Sequence, residues 1–135
     1  MDKVFWDTSG IKALRDEKDE FHQIAVSVWS KLNNKNVEIY VSNYIIDESY
    51  TLLRLRCGMG TVKLFRDYLV DMIGTIKVER VKSRDEIDAW KWFEKDWSKL
   101  SFTDCVSFAL MKRLGIKRVF GFDKHFEKAG FVLEK

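Results

Sequence analysis

The chain has 135 residues, with 24 Lys and Arg against 21 Asp and Glu, two His, two Cys and no Pro. This length allows one domain over residues 1–135 with a hydrophobic core, and the aliphatic and aromatic content excludes a disordered chain. The net charge of +3 excludes a strongly basic nucleic-acid-binding arm, and no apolar segment has the length of a signal peptide or a membrane span, so we expect a cytoplasmic protein with no membrane partner.

Short apolar runs alternate with longer segments of helical periodicity in the first half of the chain. Apolar residues at i, i+3, i+4 and i+7 indicate amphipathic helices, whereas the short runs rich in β-branched and aromatic residues indicate strands. In chain order we predict a strand at 3–6, helices at 8–15 and 17–31, a strand at 37–41, and helices at 43–56 and 60–72.

The second half continues the same alternation. Ser83 with Glu86 three residues later is typical of a capping box, which marks the start of a helix. Gly115 and Gly130 are typical helix-ending residues. In chain order we predict a strand at 75–81, helices at 83–97 and 103–115, a strand at 118–122, a short helix to 128, and a strand at 131–133.

This alternation predicts an α/β fold, a three-layer α/β/α sandwich around a mainly parallel sheet of five strands. Right-handed crossovers place the carboxyl ends of all the strands at one edge. Ligands of open α/β sheets bind beyond that edge, where the strand order reverses. The functional residues are therefore expected at this edge.

Four acidic residues, far apart in sequence, are predicted to meet there. Asp7 and Asp123 each follow an apolar strand directly, Asp104 lies in the first turn of the helix that precedes the fourth strand, and Glu48 lies one turn into the helix that follows the second. Each acid alone could instead complement a helix dipole, cap a turn or face solvent. Together, four like charges at one edge repel unless a cation neutralises them. Carboxylate oxygens select hard divalent ions, Mg²⁺ or Mn²⁺, which support phosphodiester hydrolysis.

The same residues carry a family resemblance over nearly the whole chain. The segments DTSGIKALRD at 7–16, SNYIIDESYTLLR at 42–54 and LSFTDCVSFALMKRLGIKRVFGFDKHFEKAGF at 100–131 resemble, in this order, a PIN domain. Within that family the chain is most similar to the VapC-like toxin ribonucleases. The C-terminal third is the most specific part, and the Asp-Thr-Ser opening alone is weak evidence.

The resemblance implies a sheet order of 3-2-1-4-5 and a metal-dependent endoribonuclease that cleaves RNA as the toxin of a type II toxin–antitoxin pair. Its catalytic and metal-binding acids fall on Asp7, Glu48, Asp104 and Asp123, with Mg²⁺ or Mn²⁺ as cofactor. The partners it implies are an RNA substrate, a cognate antitoxin protein and a second copy of the chain in a homodimer. Supporting polar residues fall on three positions: Thr8, Ser9 and Thr103.

Two other functions stay open at this point. A haloacid-dehalogenase-like phosphatase would use Asp7 as nucleophile, but that family needs a second Asp where this chain has Ser9. A non-catalytic RNA-binding or assembly module with the same fold would tolerate loss of the acids, and all four are present.

Basic residues near the predicted edge are candidate contacts for RNA phosphates, although each could equally belong to an ordinary solvated face. They are Lys12, Arg15, Arg54 and Lys99. Removing the four candidate acids from the 21 acidic residues leaves 17 against 24 basic ones, a balance of +7 for the rest of the molecule.

The helix at 83–97 carries three aromatic residues on one side. Trp90, Phe93 and Trp97 are expected to pack into the core, with a dimer or antitoxin surface as the alternative, whereas Trp92 points elsewhere. His125, two residues after Asp123, is interpreted as a solvent-facing or supporting histidine rather than a general base.

Overall fold

The structure, a computed structural model, describes residues 2–135. The helices and strands of this part of the chain are, in order, β1 Asp2–Trp6, α1 Thr8–Arg15, α2 His22–Asn33, β2 Val37–Ser42, α3 Asn43–Cys57, α4 Met59–Asp71, β3 Ile76–Glu79, α5 Ser83–Phe93, α6 Phe102–Leu114, β4 Arg118–Phe120, α7 His125–Lys128 and β5 Val132–Leu133.

The five strands form one parallel sheet in the order β3-β2-β1-β4-β5, as predicted. β1 lies at its centre, where Val4 pairs with Ile39 of β2 on one side and with Arg118 of β4 on the other. The chain moves outward in one direction from β1 to β3 and then returns to the other side of β1. Right-handed crossovers therefore place α1–α4 on one face of the sheet and α5 and α6 on the opposite face.

The core lies on both faces of the central strands and is rich in aromatic rings. Trp6 of β1 stacks on Trp29 of α2 at 4.6 Å between ring centroids and meets the edge of Phe65 in α4 at 5.9 Å. Phe108 of α6 packs edge-on against Phe126 of α7 at 5.0 Å. Because all of these rings are buried except that of Trp29, which is half-buried, the contacts remove large apolar areas from water and hold the helices against the sheet.

The start of the second helix differs from the prediction. The helix predicted over 17–31 begins at His22 and runs to Asn33. Asp16 and Asp19 each accept, through a side-chain oxygen, the backbone N–H two residues later, at 3.0 and 2.8 Å. These local hydrogen bonds favour turns over helix, so 17–21 do not join α2.

The predicted capping box at Ser83 and Glu86 is wrong by one residue. Lys82 is the N-cap of α5, and its backbone N–H donates to Asp85 Oδ2 at 2.8 Å. Asp85 rather than Glu86 takes this position because it is buried and binds the guanidinium of Arg113 at 2.8 and 3.0 Å.

The helix α5 also ends at Phe93, four residues before the predicted end at Trp97. Asp96, with a φ of 55°, adopts the left-handed conformation that helices exclude. Core packing is the wrong prediction for Trp90, which is 54% exposed, and for Phe93, which is 37% exposed. Trp92 instead packs against Phe108 at 5.3 Å.

The strand predicted over 118–122 ends at Phe120. The next residues turn away because the backbone N–H of Phe122 donates to the hydroxyl of Ser9 at 2.8 Å. Asp123 therefore lies in a short turn beyond the strand rather than directly after it, as was predicted. Across residues 2–135, none of the helices combines the length and apolar character needed to span a bilayer.

Gly10 allows the close approach of α1 to β4, and this approach can be tested. A Cβ at Gly10 would lie 2.4 Å from the backbone oxygen of Phe120. We expect Gly10→Ala to lower the free energy of unfolding by about 1–3 kcal/mol, because backbone must move to admit the methyl group. Urea or guanidinium unfolding of the purified variant measures this change.

Gly60→Ala is the matched control, since a Cβ at Gly60, within α4, meets nothing within 4 Å. This variant should be neutral or up to about 1 kcal/mol more stable, because alanine favours helix. Equal stability of the two variants would contradict the close approach.

Candidate active site

The carboxyl ends of β1 and β4 meet at the place where the strand order reverses. Asp7 follows β1 directly, and its backbone N–H donates to the carbonyl oxygen of Phe120 at 3.1 Å. A cleft of about 410 Å³ opens at this edge. The four candidate acids all line it: Asp7, Glu48, Asp104 and Asp123.

The side chain of Asp7 is fixed by the turn into α1, of which it is the N-cap. Its Oδ2 accepts the hydroxyl of Ser9 at 2.7 Å and the backbone N–H of Ser9 at 3.3 Å. The Ser9 oxygen in turn accepts the Phe122 N–H. A Cβ at Gly121 would lie 3.0 Å from both Asp7 Cβ and Ser9 Oγ, so the two strand ends are in close contact.

Asp104 is fixed by the start of α6. Its backbone N–H donates to Ser101 Oγ at 3.0 Å, and its Oδ2 accepts the Ser101 N–H at 3.2 Å. This reciprocal pair is a capping box, and it holds the carboxylate at the positive end of the helix dipole. The sequence placed Asp104 correctly in the first turn.

Glu48 and Asp123 reach the cleft from two further elements. Glu48 lies on α3 and is half-buried, whereas the neighbouring Asp47 is exposed. Asp123 accepts the backbone N–H of His125 at 2.9 Å through Oδ1, which fixes the turn that leads into α7. Four separate elements thus supply the four carboxylates of the cleft.

Two of these carboxyl groups resist ionisation. Burial raises the pKa of Asp7 to about 6, against the hydrogen bonds from Ser9, and the charges of Asp123 and Glu48 add to the rise. Burial raises the pKa of Asp104 to about 7, with further contributions from the charges of Asp7 and Asp123. The acids therefore destabilise one another's ionised forms, as expected of a cluster suited to a cation.

His125 lies among these carboxylates. Its Nε2 is 2.8 Å from the carbonyl oxygen of Ser98, which can only accept, so Nε2 carries a proton. Its Nδ1 lies 2.8 Å from Asp123 Oδ1 and 3.9 Å from Asp104 Oδ2. Nδ1 thus lies close to carboxylate oxygens, and it has no hydrogen-bond partner within residues 2–135. Within residues 2–135, one ligand atom from each of Asp104, Asp123 and His125 fit within 4.8 Å of one another.

The residues of the cleft fit a hard divalent cation. Asp7 Oδ1 and Asp104 Oδ1 accept no hydrogen bond from residues 2–135, since each carboxylate uses its other oxygen for the local turn. Thr8 Oγ1 is buried beside them and likewise has no hydrogen-bond partner within the described chain. Such a set of free oxygen ligands is suited to Mg²⁺ or Mn²⁺.

The supporting polar residues divide between two places. Thr8 and Ser9 line the cleft, whereas Thr103 lines an adjacent groove together with Glu48. Ser9 has a direct contact with an acid through its hydroxyl. Ser101, which sequence reasoning did not single out, contacts Asp104, and its position three residues before Asp104 was the signal for a cap.

Only one of the four predicted phosphate contacts lines the described cleft. Lys12 does so, but its ammonium binds Asp16 at 2.9 Å and Asp19 at 2.8 Å, which neutralises its charge. Arg15 lies elsewhere, with its guanidinium 4.5 Å over the ring of Tyr68. The other two, Arg54 and Lys99, are exposed and outside the cleft.

An aromatic pair at the cleft was not predicted. The rings of Phe21 and Phe122 stack at 4.7 Å with an angle of 3° between their planes, and both line the cleft. Phe21 is 36% exposed. No local sequence pattern indicates this contact, because the two rings lie about a hundred residues apart in the chain.

Comparison with known proteins gives consistent results for family and fold. The family model of the PIN domain matches residues 4–132. The 23S rRNA-specific endonuclease VapC20 of Mycobacterium tuberculosis, in each of two strains, is 34% identical over 130 residues, covering 96% of this chain and 95% of the relative.

Solved structures extend this likeness to three dimensions. The crystal structure of M. tuberculosis VapC20, a toxin that cleaves the sarcin–ricin loop, matches with a TM-score of 0.84 and 33% identity, covering 96% of both chains. FitAcB from Neisseria gonorrhoeae matches with a TM-score of 0.66, 14% identity and coverage of 98% and 96%. VapBC2 from Rickettsia felis, bound to promoter DNA, matches with a TM-score of 0.68, 9% identity and coverage of 98% and 97%. The last two share the fold.

Without metal, Asp7→Asn should stabilise the protein more at about pH 8 than at about pH 4.5. Because the pKa of Asp7 is raised to about 6, the folded state holds this proton more tightly than the unfolded chain does. The contribution of Asp7 to the free energy of unfolding is therefore greatest below its ordinary pKa and falls as pH rises to the folded value. Asparagine keeps the N-cap acceptor without the charge.

Thermal unfolding in EDTA at the two pH values measures this difference. Asp67→Asn is the control, since it makes the same substitution at an exposed acid of α4 outside the cleft. An Asp7→Asn effect that is the same at both pH values would contradict the raised pKa.

Proposed function

The chain belongs to the PIN-domain family, and on that basis we propose that it is a divalent-metal-dependent endoribonuclease that acts as the toxin of a toxin–antitoxin pair. The observation that carries the proposal is the convergence of four carboxylates from four separate elements on one cleft. A site of this composition suits hydrolysis of a phosphodiester, whose transition state carries negative charge.

Asp7, Glu48 and Asp104 would hold the main Mg²⁺ or Mn²⁺ ion, and Asp123 would hold a second ion or orient the attacking water. A bound divalent cation offsets the repulsion among the acids, stabilises charge on the phosphate and lowers the pKa of water. The free oxygens of Asp7 and Asp104 support this assignment, since their other oxygens are held by Ser9 and Ser101.

The chain's own residues position the reacting groups. Ser9 and Ser101 keep two carboxylates in place, so little reorganisation is needed when RNA binds. Asp123, whose Oδ1 lies 2.8 Å from His125 Nδ1, would orient the water that attacks phosphorus. His125 is held in turn by the carbonyl of Ser98, which fixes the orientation of its ring.

The proposed substrate is the sarcin–ricin loop of 23S rRNA. The M. tuberculosis relatives act on 23S rRNA, and the chain covers nearly all of their length. The volume of the cleft, about 410 Å³, suits a base turned out of an RNA loop.

The proposed partners are a cognate antitoxin and a second copy of the chain. Trp90, Phe93 and Phe102 form an aromatic surface, with rings 5.4–6.3 Å apart, and Trp90 is largely exposed. Exposed aromatic surfaces of this kind are typical of protein interfaces. We therefore propose this surface as the interface of the homodimer.

The phosphatase alternative is disfavoured by the contacts of Ser9. At the position where that mechanism needs a second aspartate, the Ser9 hydroxyl donates to Asp7 and accepts the Phe122 N–H.

RNA cleavage should need Mg²⁺ or Mn²⁺ and should fall more than about 100-fold in Asp7→Asn and Asp104→Asn. Both substitutions remove a charged ligand while keeping the shape and the turn-forming acceptor. The measurement is cleavage of a sarcin–ricin-loop RNA and of total RNA, with and without EDTA. In parallel, millimolar Mn²⁺ should raise the melting temperature of the wild type more than that of either variant.

Asp67→Asn serves as the control, and we expect it to cleave RNA like the wild type. Wild-type protein that leaves every tested RNA intact in both metals, and that gains no stability from Mn²⁺, would overturn the proposal. Stabilisation by Mn²⁺ without cleavage would instead support a metal site and reject the choice of RNA.

The stacked pair of Phe21 and Phe122 is proposed to stack on a base next to the scissile bond. Aromatic rings exposed at a nucleic-acid cleft stack on bases of any sequence. Phe21 has exposed surface on which a base can stack, and Phe122 packs against the ring of Phe21.

Phe21→Ala should raise KM for RNA by about tenfold, since one base–aromatic stack contributes about 1–3 kcal/mol. Phe21→Trp should keep the wild-type KM, and Phe21→Leu should behave like Phe21→Ala because it is apolar but cannot stack. Steady-state cleavage of a fluorescent RNA measures these values. An unchanged KM in Phe21→Ala, with an unchanged melting temperature, would contradict the stacking role.

A further inference from the structure

A second groove lies on the face of the sheet covered by α5 and α6. It has a volume of about 700 Å³, compared with about 410 Å³ for the acidic cleft. Its lining carries five basic side chains and one carboxylate, that of Asp88. The basic residues are Arg84, Lys91, Lys95, Lys112 and Arg113.

Two of these cations are already neutralised. Arg84 binds Asp88 at 3.3 Å, and Arg113 binds the buried carboxylate of Asp85 at 2.8 Å. The three lysines form no ion pair with any carboxylate of residues 2–135. The groove therefore presents three uncompensated positive charges.

Two of these lysines lie close to the ring of a tryptophan. The ammonium groups of Lys95 and Lys112 lie 5.7 and 5.9 Å from the ring centroid of Trp92, within reach of a cation–π interaction. Trp92 is itself held against Phe108 in the core. The helix dipoles also favour cations at Lys91 and Lys112, which lie in the last turns of α5 and α6, but they give no reason for Lys95.

The basic surface continues toward the acidic cleft. Trp97 lies 6.0 Å from Trp92 between ring centroids, and the ammonium of Lys128 lies 4.4 Å over Trp97. Lys128 belongs to α7, which begins two residues after Asp123. The helix α6 also connects the cleft to the groove. Asp104 of the cleft and Lys112 of the groove are separated by about 12 Å along the helix axis. An RNA hairpin seated on the cleft can therefore reach the groove.

We propose that the groove between α5 and α6 binds the phosphate backbone of the RNA substrate at a distance from the bond that is cut. The inference rests on the proposed function, since it assumes that RNA is the substrate. Phosphate contacts of this kind fix the position of an RNA without reading its sequence. Charge complementarity favours RNA, which offers regularly spaced phosphates to lysines that are uncompensated.

The test replaces Lys91, Lys95 and Lys112 together by glutamine and measures RNA binding. The background is Asp7→Asn in EDTA, so that binding is scored whether or not the protein cleaves RNA. The probe is a fluorescent hairpin RNA with the sarcin–ricin-loop sequence. We expect affinity at about 0.1 M salt to fall at least about tenfold, and the slope of log Kd against log salt to lessen by about two to three.

A matched triple variant at Lys31, Lys35 and Lys63, also to glutamine, removes the same charge from exposed positions outside the groove. It should bind the hairpin like its parent. Equal losses in the two triple variants, or none in either, would overturn the groove proposal even if the wild type cleaves RNA. A loss of affinity confined to the groove variant would support the groove proposal. If the wild type then cleaved no RNA, only the proposed function would be rejected.

A polyglutamate peptide tests the other class of acidic partner. If the groove variant loses binding of this peptide while its affinity for the hairpin is unchanged, the groove binds an acidic protein and the RNA proposal is wrong. Melting temperatures of both triple variants should match the parent, because the substituted side chains are exposed.

Discussion

The hydroxyl of Ser9 joins the two strand ends on which the cleft is built. It donates to Asp7 after β1 and accepts the Phe122 N–H after β4. Gly10 and Gly121 bring the backbones close enough for both bonds, since a Cβ would collide with Phe120 at the first position and would be tightly packed against Asp7 and Ser9 at the second. With Asp7 held in this way, the other carboxylates are placed around it by the first turn of α6, by α3 and by the turn into α7. The shape of the site thus depends on a junction at the centre of the sheet.

The sequence predicted the parts of the molecule that follow from local pattern and topology. The sheet order is as expected, and the rule that ligands bind where strand order reverses led directly to Asp7 and Asp123. Ser101 was recognisable in principle as a cap of the helix that holds Asp104. These features depend on spacing within a few residues, or on the handedness of crossovers, which sequence patterns reveal.

The remaining features depend on contacts between distant residues. Lys12 has a basic side chain near the cleft, but Asp16 and Asp19 fold back and neutralise it. Helical periodicity did not show that Trp92 is the ring that reaches the core while Trp90 is exposed, because both lie on a helix with apolar residues on several sides. The stacking of Phe21 on Phe122 joins segments with no common pattern.

The centre of the sheet also pairs segments that lie far apart in the sequence. Val4 of β1 pairs with Arg118 of β4, which lies 114 residues later in the chain. Such distant pairing forms slowly compared with local contacts. During translation, Asp7 therefore leaves the ribosome long before Asp104 and Asp123, and it has no partners with which to form the cleft. The ribosome that makes this chain meets a complete acidic centre only after Asp123 has been synthesised.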